Sequence, residues 1–114
     1  MAGTPILPNG PTEFLTSTDS GVTVSNIATG TNMFYVTNAG TLTGPATKVG
    51  IYKTYAAAAA MTLTTGTGVA LLPQTSETIV GNFGISPNPG TVYVAYINAA
   101  SGGSSSLNVT PLAP

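Results

Sequence analysis

The sequence contains no cysteine, no histidine and no tryptophan among its 114 residues. Without cysteine there is no disulfide framework, no thiolate zinc site and no sulfur nucleophile. Without histidine the usual general base, the neutral-pH switch and the commonest transition-metal ligand are gone, and a Ser-His-Asp triad cannot be assembled. Charge is as scarce. Two lysines, Lys48 and Lys53, and three acids, Glu13, Asp19 and Glu77, make up 4% of the chain, against about 25% in an ordinary soluble domain. A net charge of −1 does not gather phosphates or an anionic bilayer by long-range attraction, which argues against nucleic acid as a partner. A Ser-Lys pair or a carboxylate dyad is still conceivable, but Glu13 and Asp19 lie in a turn-rich segment and no spacing brings them together. The expectation is a non-enzyme with no cofactor and no metal.

Long apolar runs are absent too. The longest, residues 56–61, is six residues, where a spanning helix needs about twenty. Three phenylalanines and five tyrosines are too few for the aromatic girdles of an outer-membrane barrel. The start, Met1-Ala2-Gly3-Thr4-Pro5, has neither the basic region nor the apolar core of a secretory signal. The reading is a protein made in the cytoplasm without a signal peptide and with no membrane partner.

What the chain does have is apolar content, 42%, with 14 glycines and 9 prolines. Disordered chains combine low hydrophobicity with high net charge, and this one has neither. A chain of this length supports one domain with a core of its own.

Residues 1–16 read as an extended N-terminal arm. Pro5, Pro8 and Pro11 fix their own backbone angles and push the preceding residues toward extended geometry. Ile6, Leu7, Phe14 and Leu15 are its apolar cargo, placed either on the chain's own body or on a neighbour.

From residue 17 to 114 the pattern is strand and turn. Residues 91–98 alternate Val92, Val94 and Tyr96 with Tyr93, Ala95 and Ile97. Residues 47–55 alternate Val49 and Ile51 with Lys48, Gly50 and Tyr52; Lys53 falls on the apolar side, so the strand should end near it. Residues 21–27, 31–37, 69–73, 78–83 and 107–112 are further short runs, separated by turn signals such as Asn38-Ala39-Gly40 and Gly44-Pro45. Runs of this kind at spacings of about ten residues indicate an all-β fold, a single antiparallel β-sandwich of seven or eight short strands. Jelly-roll and immunoglobulin-like orders both fit. Residues 55–61 hold five consecutive alanines, good helix formers. A helix so short is unstable alone and no capping box flanks it, so the first expectation is strand or loop and the second a single helical turn.

Few residues suggest chemistry. Gly66 and Gly68 begin a phosphate-binding fingerprint that no third glycine or helix completes. Asn108-Val109-Thr110 fits a glycosylation triplet but reads as strand with Thr110 outward. Asp19 alone is too little for a calcium cage, and Asp19-Ser20-Gly21 suits an Asx-type turn. Tyr35 and Tyr93 are candidates for stacking on a sugar ring or for packing at an interface.

A globule so poor in charge has weak colloidal stability, and neutral Thr, Ser, Asn and Ala faces bury without desolvating ions. The composition therefore suits a fixed place in an assembly. Three segments then carry a resemblance: Gly68-Val69-Ala70-Leu71-Leu72-Pro73-Gln74-Thr75-Ser76-Glu77-Thr78-Ile79-Val80, then Thr91-Val92-Tyr93-Val94-Ala95-Tyr96-Ile97-Asn98-Ala99-Ala100-Ser101-Gly102-Gly103, then Leu107-Asn108-Val109-Thr110, with Phe34-Tyr35-Val36-Thr37-Asn38 upstream. Together they resemble the small β-sandwich structural proteins of tailed bacteriophages, over about two thirds of the chain. The resemblance implies a head decoration (cement) protein or accessory module of the virion, sited on the capsid surface. It implies a homo-oligomer, a trimer above all, with the major capsid protein as partner and an N-terminal arm crossing capsid subunits; the candidate interface residues are Ile6, Leu7, Phe14 and Leu15 of the arm, with Tyr35 and Tyr93. A carbohydrate- or receptor-binding module of a tail or fibre, and a subunit of an extracellular filament, are the alternatives.

Overall fold

A computed structural model describes residue 8 and residues 10–29, 33–81, 90–99 and 103–113, with backbone alone at Ala28 and Thr29. Eight strands account for most of it: β1 (Glu13–Ser17), β2 (Thr23–Thr29), β3 (Met33–Asn38), β4 (Thr47–Tyr52), β5 (Val69–Leu71), β6 (Ser76–Val80), β7 (Gly90–Asn98) and β8 (Ser105–Pro111). One short helix, α1 (Tyr55–Ala59), lies between β4 and β5. The strands form two antiparallel four-stranded sheets, ordered β1-β8-β3-β6 and β2-β7-β4-β5.

That order decides between the two topologies left open by the sequence. The first strand pairs with the last, the second with the last but one, β3 with β6 and β4 with β5, all antiparallel. The chain is one long hairpin folded at the β4–β5 connection and rolled up, which is a jelly roll.

Alternation along the strands builds the core. Phe34 and Val36 of β3, Val49 of β4, Val92 and Val94 of β7, and Leu107 and Val109 of β8 are fully buried between the sheets. Each such side chain contributes about 1.5–3 kcal/mol by leaving water. The expected strand at residues 91–98 is borne out, with Val92, Val94 and Tyr96 inward. The strand holding Lys48 ends at Tyr52, ahead of the exposed Lys53.

Two expectations are corrected. Glu13–Ser17 belongs to the sandwich as an edge strand on β8, so the last residues of the stretch read as an arm are sheet; Leu15 packs on the main core. Residues 55–59 are helical, not strand or loop. Thr54 caps the helix without a capping box, its hydroxyl accepting the Ala57 N–H at 3.2 Å. A five-residue helix persists because it is packed: Ala58 is fully buried against the outer side of the second sheet.

Helix α1 and the loop after it add a third layer there. Tyr52, Ala58, Met61, Ala95 and Ile97 form a second apolar cluster, flanked by Val22, Val24 and Tyr93. Gly50 allows the close approach, since a Cβ at that position would stand 2.5 Å from the Thr67 carbonyl oxygen. The Lys48 ammonium pins the loop, donating to the carbonyls of Thr62 (2.8 Å), Thr65 (3.0 Å) and Gly66 (3.0 Å), which uses all three of its donors.

Candidate functional site

The outer face of the first sheet is built from the strand positions that alternate with the core. It carries Phe14 and Thr16 from β1, Ser106, Asn108 and Thr110 from β8, Met33, Tyr35 and Thr37 from β3, and Ser76, Thr78 and Val80 from β6. None of these side chains is a carboxylate or an ammonium. The register sets them in rows across the sheet. Phe14, Asn108, Thr37 and Ser76 make one row, and Thr110, Tyr35 and Thr78 the next. Hydroxyl pairs stitch both rows, Thr37 Oγ1 to Ser76 Oγ at 2.7 Å and Thr12 Oγ1 to Thr110 Oγ1 at 2.6 Å. Cross-strand Thr–Ser pairs of this kind support a sheet face without charge. Thr110 points outward, as its strand reading requires.

Two apolar side chains stand out from this polar carpet. Phe14 is 78% exposed and Val80 is 53% exposed, on the two opposite edge strands. Tyr35 is half-buried between them. With strands about 4.8 Å apart, Phe14 and Tyr35 have only β8 between them and share one surface. Tyr93 is on the far side of the molecule, in the outer layer of the second sheet, its ring edge-on to Tyr55 at 6.1 Å. The fold therefore joins Phe14 to Tyr35, turns Leu15 inward and keeps Tyr93 apart. Ile6 and Leu7 lie outside the described residues.

The second feature is an end of the roll. The β1–β2, β3–β4, β5–β6 and β7–β8 connections come together there. They are joined by Asn98 N–H to the Thr18 carbonyl, Ala99 N–H to the Ala46 carbonyl and Gln74 N–H to the Asn38 carbonyl. A buried polar network lies beneath them. The Asn38 amide donates to the carbonyls of Leu71 (3.0 Å) and Pro45 (3.2 Å) and to Thr47 Oγ1 (3.3 Å). The Thr47 hydroxyl donates to Asn98 Oδ1 at 2.7 Å, which also takes the Ser105 hydroxyl at 3.1 Å. The Asn98 amide nitrogen reaches the carbonyls of Ser17 (3.0 Å) and Gly103 (2.8 Å). The network ties the ends of β1, β3, β4, β5, β7 and β8 together beneath the connections. Leu42 and Leu72 project from this end, 76% and 65% exposed. Asp19, whose carboxylate accepts the Gly103 N–H at 3.4 Å, is the one charged side chain among the described residues of these connections.

Sequence reasoning passed over this network. The signal was present: Asn38, Thr47, Asn98 and Ser105 each continue the inward register of their strand by one step.

Titratable chemistry is sparse. Burial raises the pKa of the Tyr52 phenol, and its hydrogen bond to the Thr67 carbonyl works in the opposite direction. Among the described residues there is no group of three or more acids that could hold a metal ion. No helix among them is long and apolar enough to cross a membrane. No protein-family model matches this chain, and neither does any curated protein or solved structure.

Proposed function

We propose that this chain is a non-enzymatic structural protein of a virion, decorating or cementing a phage capsid through protein–protein contacts with the major capsid protein. The observation that carries the reading is the outer face of the first sheet: eleven described positions with no carboxylate or ammonium, and Phe14 exposed over 78% of its surface. Such a face is covered by another protein surface without stripping water from ions, and its hydroxyls can pair across the contact. The loop end, where Leu42 and Leu72 are exposed and Asp19 is the one charged side chain among the described residues, adds a second contact at another side. A homo-oligomer, with a trimer favoured by the resemblance to phage head proteins, completes the reading. Double-sheet jelly rolls occur in viral capsids and in lectins alike, so the argument rests on the surface rather than the fold.

Co-sedimentation of the purified chain with empty capsids of the virus that encodes it tests this. Saturable binding, weakened by Phe14→Ser, supports the proposal; no binding, or binding indifferent to that change, overturns it.

A second reading is a carbohydrate- or receptor-binding module. It is favoured by Tyr35, half-buried between Thr110 and Thr78 in its row, because an aromatic ring beside hydroxyls suits a sugar ring. A glycan-array signal abolished by Tyr35→Ala would put this reading first.

A further inference from the structure

Every open sheet has two edges, and a strand at an edge presents unpaired N–H and C=O groups to any other strand that meets it. Three of the four edges here are guarded. In the first sheet, β1 carries Glu13 and β6 carries Glu77, each on the core-facing side of its strand register, and a charge so placed resists a partner strand. In the second sheet, β5 is three residues long and Pro73 follows it closely. The fourth edge, β2, is different. Its seven residues, Thr-Val-Ser-Asn-Ile-Ala-Thr, contain no charge, no proline and no glycine. Its ladder to β7 is continuous from Thr23 to Thr29, without a bulge. Helix α1 packs on the face of this sheet, and no strand among the described residues pairs with the outer edge of β2.

We propose that β2 is a self-association edge, at which two copies of this chain pair their β2 strands antiparallel about a two-fold axis and join their second sheets into one of eight strands. Three observations select a second copy as the occupant. An edge strand's backbone is complementary to another extended strand. The sequence of β2 has nothing that repels itself, and the whole chain carries only −1, so like copies meet without electrostatic cost. In the centred register Asn26 faces Asn26, and both amides, exposed in the single chain, can donate and accept across the axis. The contact does not depend on the capsid reading, because such an edge pairs in plain buffer. It is isologous and closes at two; with a threefold contact elsewhere it gives a hexamer.

Light scattering on a size-exclusion column, at loading concentrations up to about 100 µM, tests the proposal. A dimer or hexamer is expected, reverting to monomer or trimer in Asn26→Lys, whose dissociation constant rises at least about tenfold. Asn26→Ala keeps the backbone edge and still pairs. A wild-type monomer throughout that range overturns the proposal, as does an oligomer that Asn26→Lys leaves intact. Should Asn26→Lys fold poorly, amide hydrogen exchange on the wild type decides. Exchange at residues 24–28 slows with rising concentration if β2 pairs, and concentration-independent exchange there overturns the proposal.

Discussion

Thr47 and Asn98 stand opposite each other on β4 and β7, and the Thr47 hydroxyl donates to the Asn98 amide oxygen at 2.7 Å with both residues fully buried. Thr47→Val keeps the shape but withdraws that proton and the acceptor used by the Asn38 amide. Leaving buried polar groups short of partners costs about 1–3 kcal/mol. Thermal melting should fall by several degrees, and Asn98→Ala should cost more, since it also abandons the carbonyls of Ser17 and Gly103. An unchanged melting temperature for both variants would show that the network is not structural.

Ser17 makes the opposite case. Its Oγ is buried with no hydrogen-bond partner among the described residues. Ser17→Ala removes a desolvated hydroxyl that forms no bond, so the variant should be more stable by about 1 kcal/mol, read as a higher denaturant midpoint at constant slope. A loss of stability would reveal a partner for that oxygen.

Gly50 has a packing role. A methyl group there would sit 2.5 Å from the Thr67 carbonyl oxygen and 2.7 Å from the Tyr52 ring. Gly50→Ala should therefore destabilise by about 1–3 kcal/mol and lift the outer layer from the sheet. Amide exchange in residues 54–66 should accelerate more than in β3 or β8.

The Tyr52 phenol is held neutral by burial, its pKa raised above 10.0. The unfolded chain ionises this phenol first as pH rises, so its contribution to stability is complete below about pH 10 and is lost as pH climbs through the folded-state value. Melting temperature should be level from pH 7 to 9 and drop above 10, and Tyr52→Phe should flatten that drop. An identical alkaline drop in Tyr52→Phe would assign it to other groups.

Phe14→Ser should leave the melting temperature nearly unchanged, within about 0.5 kcal/mol, because an exposed side chain gives up little on removal. A large loss of stability would mean that Phe14 is covered within the single chain, and would remove it from the proposed contact surface.

The strands were legible because alternation is a local property. Val92, Val94 and Tyr96 announce their face without reference to any other segment. Strand order was not legible: whether β8 lies beside β1 or elsewhere depends on pairings about ninety residues apart in sequence, and no local pattern encodes them. Helix α1 was only the second expectation because its cap is a lone threonine and its stability comes from Ala58 lying on the second sheet, a tertiary cause. The boundary of the N-terminal arm was misplaced for a similar reason, since Glu13, Phe14 and Leu15 show no clean alternation until β8 defines their two sides. The polar network lay in plain sight as register, yet an asparagine at a strand end reads as a turn until the strands that enclose it are known. On the surface, Phe14 was singled out as apolar cargo of the arm and Tyr35 as an aromatic ring suited to stacking or interface packing. That they share one face while Tyr93 does not follows only from the sheet order.

A hairpin rolled from its two ends also dictates an order of assembly during synthesis. The β4–β5 pair can close once about seventy residues are available, but β1 must wait for the last strand to leave the ribosome before its partner exists. Until β7 and β8 are made, β2 and β1 lack the strands they pair with and carry one charge between them, Glu13, which makes the nascent polypeptide slow to mature and prone to stick to its siblings. Holding chaperones and low expression temperature should accordingly raise the yield of native protein more than any change of buffer.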